Sequence, residues 1–168
     1  NAKVIATPEV VKHIEATKDG KFAYWGPILK AGVPSQIVVP RAIEDKTIEL
    51  EGEKIEIKAP GKYASYLWVP SNRTILGGVG LSSGIHLWTA DTQTTEARDE
   101  WRKTVKQMNR LRPHAVIPGH YMGEIPSGTK AINFTYQYLV DVDKVLKEHK
   151  NSASVIAALK EKYPNLAE

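Results

Sequence analysis

The chain carries no cysteine and five histidines, His13, His86, His114, His120 and His149. Disulfides, a thiolate nucleophile and cysteine-ligated zinc are therefore excluded, and any metal must be held by imidazole and carboxylate groups. Of the five, His120 stands in the most constrained setting. It follows the apolar run Ala115–Ile117 and the pair Pro118-Gly119, so a rigid proline and a small glycine would set the angle at which its imidazole leaves the carboxyl edge of a sheet. That position suits a metal ligand, and equally an edge histidine hydrogen-bonded to its surroundings. His13, His114 and His149 occupy polar helical or pre-strand positions and read as solvated. A second concentration of chemistry-bearing side chains, His86, Trp88 and Asp91, falls in the polar segment 80–94, just after Gly77-Gly78. Two residues without side chains let a backbone or a ligand approach closely.

The elements that must position these groups follow from periodicity and turn chemistry. Residues 3–6 read as a strand, and Thr7-Pro8 opens a helix with Val10, Val11 and Ile14 on its apolar face. Residues 19–35 carry Gly20, Gly26, Pro27, Gly32 and Pro34 around Phe22, Tyr24 and Trp25. They predict an irregular or briefly helical connection whose aromatics plug a core edge. Residues 36–39, Thr47–Leu50 and 54–58 alternate as strands do, the last two forming a hairpin across Glu51-Gly52-Glu53. A second hairpin joins 65–69 to 73–78 across Pro70-Ser71-Asn72. Ala97, Trp101, Val105, Met108 and Leu111 then recur at helical spacing, and that helix stops before Pro113. Beyond His120, a long helix begins near Ser127 with Ile132, Leu139, Val142 and Leu146 on one stripe. Ser152 can cap a last helix bearing Val155, Ile156 and Leu159.

The 168 residues suffice for one domain, 1–168, and the 42% hydrophobic and 25% charged content excludes disordered, collagenous and low-complexity classes. No apolar run approaches the roughly 18 residues of a membrane span, and the start of the chain lacks the apolar core of a secretory signal. No membrane partner is expected, and a cysteine-free chain fits the cytoplasm. Lys and Arg number 23 against 19 Asp and Glu, a net charge of +4 with both signs interspersed, so nucleic-acid binding is not expected. The chain opens Asn1-Ala2 and enters a strand-like run at once, which reads as a tag remnant joined to part of a longer protein.

One succession is more specific. The strand-turn-strand ending RTILGG, a loop containing IHLWTADTQT, the helix with Trp101 and the run RLRPHAVIPGH together resemble the C-terminal half of the metallo-β-lactamase fold family. The resemblance covers roughly residues 45–122; family members usually show a strand ending Thr-Gly-Asp, a helix, and a strand ending Pro-Gly-His. It implies an α/β fold, half of a four-layer αββα sandwich, with a mixed sheet flanked by helices. Each half of such a sandwich buries one sheet face under its own helices and the other against the partner sheet. It further implies that His120 is a zinc ligand in an intact protein whose metal-bound hydroxide attacks an ester, amide or phosphoester of a small-molecule substrate.

The departures are as informative as the match. The family's His-x-His-x-Asp-His signature cannot occur, because no two of the five histidines are two residues apart. A second ligand position falls on Tyr63, beside Lys62, and the bridging Asp falls on Val79, whose isopropyl group coordinates nothing. Catalytic zinc ordinarily takes three protein ligands, so this chain alone is expected to bind none tightly and to be inactive. His86 and Asp91 could substitute as nitrogen and oxygen donors; alternatively His86 packs with Trp88 while Asp91 caps backbone amides. Trp88 could form the flat apolar wall of a ligand site, or anchor its loop to the helix bearing Trp101. The expected function is the C-terminal portion of a metallo-β-lactamase-like metal-dependent hydrolase. The alternative is a degenerate, non-catalytic module acting by self-association or partner binding, and a weaker third class is nucleic-acid binding. A sheet face carrying Ile55, Ile57, Leu67 and Ile75 needs a cover, so a homo-oligomer is expected.

Overall fold

The computed structural model describes residues 2–61 and 64–167, which form two compact units divided after Lys46. In the first, strand β1 (Ile5–Ala6) pairs in parallel with β2 (Arg41–Ala42), the Arg41 and Ile43 amides donating to the Val4 and Ala6 carbonyls at 3.0 Å each. Helix α1 (Pro8–Leu29) opens with proline in its first turn, where the missing N–H costs nothing. It runs through Gly20 and Pro27, where the sequence predicts a broken connection. Pro27 lies in the last turn, so it deletes one internal bond, and the Lys30 amide closes the helix onto the Gly26 carbonyl. Phe22, Tyr24 and Trp25, expected to plug a core edge, are 37%, 57% and 39% exposed. Residues 36–39 form no strand; pairing begins only after Pro40, which has no N–H to contribute.

The second unit is built on a five-stranded sheet in the order β3 (Thr47–Leu50), β4 (Glu53–Lys58), β5 (Tyr66–Val69), β6 (Thr74–Leu76) and β8 (Ala115–Ile117). Glu51 and Gly52 both take positive φ between β3 and β4, the two-residue hairpin geometry that matches strand twist. The first four strands are antiparallel. β6 and β8 are parallel, so a crossover joins them, and α2 (Thr95–Arg110) supplies it. A short parallel pair, β7 (Ser82–Ser83) with β9 (His120–Tyr121), extends the carboxyl ends of β6 and β8. Helices α3 (Lys130–Glu148) and α4 (Ser152–Lys162) follow. The α4 cap is Asn151 rather than Ser152: its Oδ1 accepts from the Ser154 amide at 2.9 Å. Among the described residues no helix is long and apolar enough to cross a membrane.

Register decides which residues the core receives. Trp68, Ile75 and Val116 lie opposite one another across β5, β6 and β8. With Tyr66 they form the face covered by Val105 and Met108 of α2 and by Ala131 and Ile132 of α3. Leu67, Leu76 and Ile117 form the next row and point to the other face, together with Ile57 opposite Leu67. Ile75 therefore does not share a face with Ile55, Ile57 and Leu67 as the sequence suggested. Alternation has period two, and the register sets Leu76, not Ile75, across from Leu67. A second buried cluster, Leu87, Tyr138, Leu139 and Val142, is packed by Phe134, Leu159, Tyr163 and Leu166 and so binds α4 and the tail to α3.

The two faces should respond differently to truncation. Ile75→Ala empties a site with no solvent exposure and should cost about 2–5 kcal/mol, read from the urea-unfolding midpoint. Leu76→Ala, on the half-buried opposite face, should cost distinctly less. Equal losses would contradict this assignment of faces.

Candidate site at the carboxyl edge of the parallel strands

Because β6 and β8 are parallel, the segments leaving them, Gly77-Gly78-Val79 and Pro118-Gly119-His120, emerge at one end of the sheet. Backbone hydrogen bonds then tie the two exits together. The Gly77 amide donates to Ile117 O at 2.9 Å, and the Gly119 amide donates to Gly78 O at 2.9 Å. The approach leaves no room for a side chain, since a Cβ on Gly119 would lie 2.4 Å from Gly78 O. Gly78 itself has φ +52°, a conformation glycine adopts without strain. Beyond one tight turn Leu81 enters the core, and Ser82 pairs with His120. Ser82 is fastened in turn to α3: its amide donates to Thr135 Oγ1 at 3.0 Å, and that hydroxyl donates to Ser82 O at 3.3 Å. The His120 imidazole is thus presented to solvent from a doubly paired backbone, next to the turn bearing Val79, which is 78% exposed.

The loop carrying the other candidates is held by residues distant from it in the sequence. His86 packs edge-on against Tyr138, with Nδ1 2.7 Å from the phenol oxygen. Burial pushes Tyr138 up to about 12, so the phenol keeps its proton at neutral pH and can donate it to Nδ1. The chain terminus clamps the same stretch, the Ala167 amide donating to Gly84 O at 3.0 Å and the His86 amide to Ala167 O at 2.8 Å. Trp88 is 55% exposed, whereas its neighbour Leu87 is buried. Trp101 ties this segment to α2, its indole N–H donating to Gly80 O at 2.8 Å. Asp91 is exposed, and Thr94 caps α2 by accepting from the Ala97 amide at 3.1 Å.

Sequence reasoning missed a buried ionic network that fixes the end of this loop. Arg98 is 5% exposed; its Nη1 donates to the carbonyls of Thr92 at 3.0 Å and Gln93 at 2.8 Å, and its Nε donates to Asp143 Oδ1 at 2.5 Å. Arg102 binds the other Asp143 oxygen and also Asp99. A signal was present, because Arg98 stands on the stripe of Trp101, Val105 and Met108, where an aliphatic residue is the norm. Burial opposes ionisation of Asp143, but the hydrogen bonds and charges of Arg102 and Arg98 outweigh it and hold the carboxyl below its ordinary value. Asp141 is lowered likewise: burial is outweighed by hydrogen bonds from Tyr163 and Gln137 and by the Lys162 charge.

Taken as a donor set, these residues do not make a zinc site. Among the described residues no three His, Asp or Glu side chains converge to hold a metal ion, so His86, Asp91 and His120 form no such group. Val79 offers no donor, and Tyr63 with Lys62 lies outside the described residues. What the edge presents is one exposed imidazole on a rigid backbone, and a single imidazole falls short of the three protein ligands of a catalytic centre.

No protein-family model matches the sequence, and no curated protein matches it either. Solved structures do. Metallo-beta-lactamase IND-7 superposes with a TM-score of 0.54 at 18% identity, over 82% of this chain and 57% of that one. A metallo-beta-lactamase family protein from Thermus thermophilus gives 0.57 at 12% identity, over 90% and 57%. The mixed sheet flanked by helices is thus that of the metallo-β-lactamase fold. The chain spans somewhat more than half the length of each of these two proteins, 57%.

Two outcomes test the forces that build this edge. Gly119→Ala forces a methyl against the Gly78 carbonyl and should lower stability by about 1–3 kcal/mol in urea unfolding; unchanged stability would show that the two exits do not need their close contact. Asp143→Asn leaves Arg98 buried without its counter-charge and should cost about 3–5 kcal/mol at neutral pH. The sign with pH follows from the lowered carboxyls of Asp141 and Asp143. Their contribution is complete above the unfolded value, near 3.8, and is lost as pH falls below it through the folded values. Unfolding free energies measured in steps below about pH 4 should therefore decline less steeply in Asp143→Asn than in the parent.

Proposed function

We propose that this chain is the C-terminal portion of a metallo-β-lactamase-like metal-dependent hydrolase and is inactive by itself. The observation that carries this is the convergence of Gly77-Gly78-Val79 and Pro118-Gly119-His120 on one sheet edge, with His120 presented outward. An imidazole so fixed is suited to join other ligands around a metal, those ligands coming from polypeptide other than the residues described. In such an assembly His120 would be one ligand of a metal whose Lewis-acid chemistry would serve hydrolysis of a small-molecule substrate. A second reading, a non-catalytic module of the same fold, is favoured by Val79, an exposed isopropyl group beside the single imidazole.

Metal analysis of the purified chain separates the outcomes. Zinc should be well below one equivalent, simple esters and β-lactams should not be hydrolysed, and His120→Ala should change neither result. Val79→Asp places a carboxylate beside His120 and should raise zinc affinity in a titration; that gain should vanish when His120→Ala is added. Tight one-to-one zinc in the parent, lost with His120→Ala, would overturn the proposal of an incomplete site. No gain from Val79→Asp would favour the non-catalytic module.

A further inference from the structure

The partners of His86 decide which of its two ring nitrogens carries the proton. Its backbone is clamped by the chain terminus, the His86 amide donating to Ala167 O at 2.8 Å. Its ring meets Tyr138 edge-on, with centroids 5.8 Å apart, planes at 74° and Nδ1 2.7 Å from the phenol oxygen. That oxygen also accepts from the Leu87 amide. Tyr138 is 2% exposed, and its ring is fixed independently of His86, stacked on Tyr163 at 4.9 Å and tilted against Phe134 at 5.9 Å. Tyr163 is anchored in turn by its hydroxyl, which donates to Asp141 Oδ2 at 2.7 Å. The imidazole therefore has to adapt to the phenol, and not the phenol to the imidazole.

A phenol oxygen has two lone pairs and one proton. With the Leu87 amide on one lone pair, two arrangements remain. If Nδ1 carried hydrogen it would donate to the other lone pair, and the phenol proton would be stranded in a cluster otherwise made of Leu87, Leu139 and Val142. A buried donor without an acceptor is costly, and among the described residues the acceptor that the phenol meets is Nδ1 itself. If Nδ1 is bare, it takes the phenol proton along the 2.7 Å contact, and the phenol is satisfied as donor and acceptor. A neutral imidazole has one N–H, which then sits on Nε2. We propose that Tyr138 fixes His86 in the Nε2–H form, which makes His86 a hydrogen-bond donor to an oxygen ligand and removes it from the metal ligands available at this edge. A metal on Nε2 would require Nδ1 to take the hydrogen, reversing the bond to Tyr138 and stranding the phenol proton. What meets the free edge of the ring must supply a lone pair of its own, as a carbonyl, carboxylate or phosphate oxygen does and a cation does not. Tyr138 acts as a positioning residue. This holds for the chain by itself, whatever completes the edge at His120.

Long-range nitrogen–proton correlation NMR of the full chain, at a pH where the imidazoles are neutral, reads the tautomer directly. His86 should show one tautomer with its hydrogen on Nε2, and an Nδ1 resonance displaced as for a nitrogen that accepts a hydrogen bond. Tyr138→Phe keeps a ring to stack on Tyr163 and removes the hydroxyl. In that variant the Nδ1 displacement should be lost and a second tautomer should appear, while cooperative melting establishes that the chain is folded. Cobalt(II) added to the parent should broaden the ring signals of His120 and spare those of His86. Hydrogen on Nδ1 of His86 in the parent would overturn the proposal, and that spectrum decides even if Tyr138→Phe does not fold. Ring resonances of His86 that are unchanged in a folded Tyr138→Phe, or cobalt broadening of His86 as early as of His120, would overturn it as well. The tautomer is read without any metal, so it stands or falls separately from the zinc titration of Val79→Asp.

Discussion

The contact between the Gly119 amide and the Gly78 carbonyl is the constraint on which the candidate site rests. It can form only where two parallel strands end side by side and position 119 lacks a Cβ, which would lie 2.4 Å from Gly78 O. Once formed, it sets Ser82 opposite His120 and sends Leu81 into the core, so the position of one imidazole follows from backbone pairing rather than from its own side-chain contacts. Rigid backbone at the end of a parallel sheet is where α/β proteins commonly build their sites.

Around that edge the loop is held by groups that do no visible chemistry themselves. Arg98 binds the carbonyls of Thr92 and Gln93 while being neutralised by Asp143 from α3, and Trp101 binds Gly80. On the far side, His86 leans on Tyr138, which stacks on Tyr163 with ring centroids 4.9 Å apart, and Tyr163 donates to Asp141 at 2.7 Å. Buried charges of this kind are costly unless every partner is present, which makes α2, α3 and the chain terminus interdependent. The loop is consequently fastened at both ends, with Trp88 and Asp91 left on the exposed stretch between.

The sheet presents a different physical problem on each side. One face is closed by two helices and holds the fully buried Ile75 and Val116. The other bears Ile57, Leu67, Leu76 and Ile117 in a row, a surface that water solvates poorly.

Much of the second unit was legible in the amino-acid order. The hairpin of Thr47–Leu50 with its neighbour, the helix through Trp101, the strand Ala115–Ile117 and the exit at His120 all follow from local signals, and the structure forms each. Other features were decided by tertiary structure. Whether Ile75 or Leu76 faces the helices depends on a register shared with β5 and β8, which no local pattern contains. His86 found Tyr138 and Arg98 found Asp143, across separations of 52 and 45 residues. Periodicity reports which side of an element turns inward; it does not report which element will be waiting there.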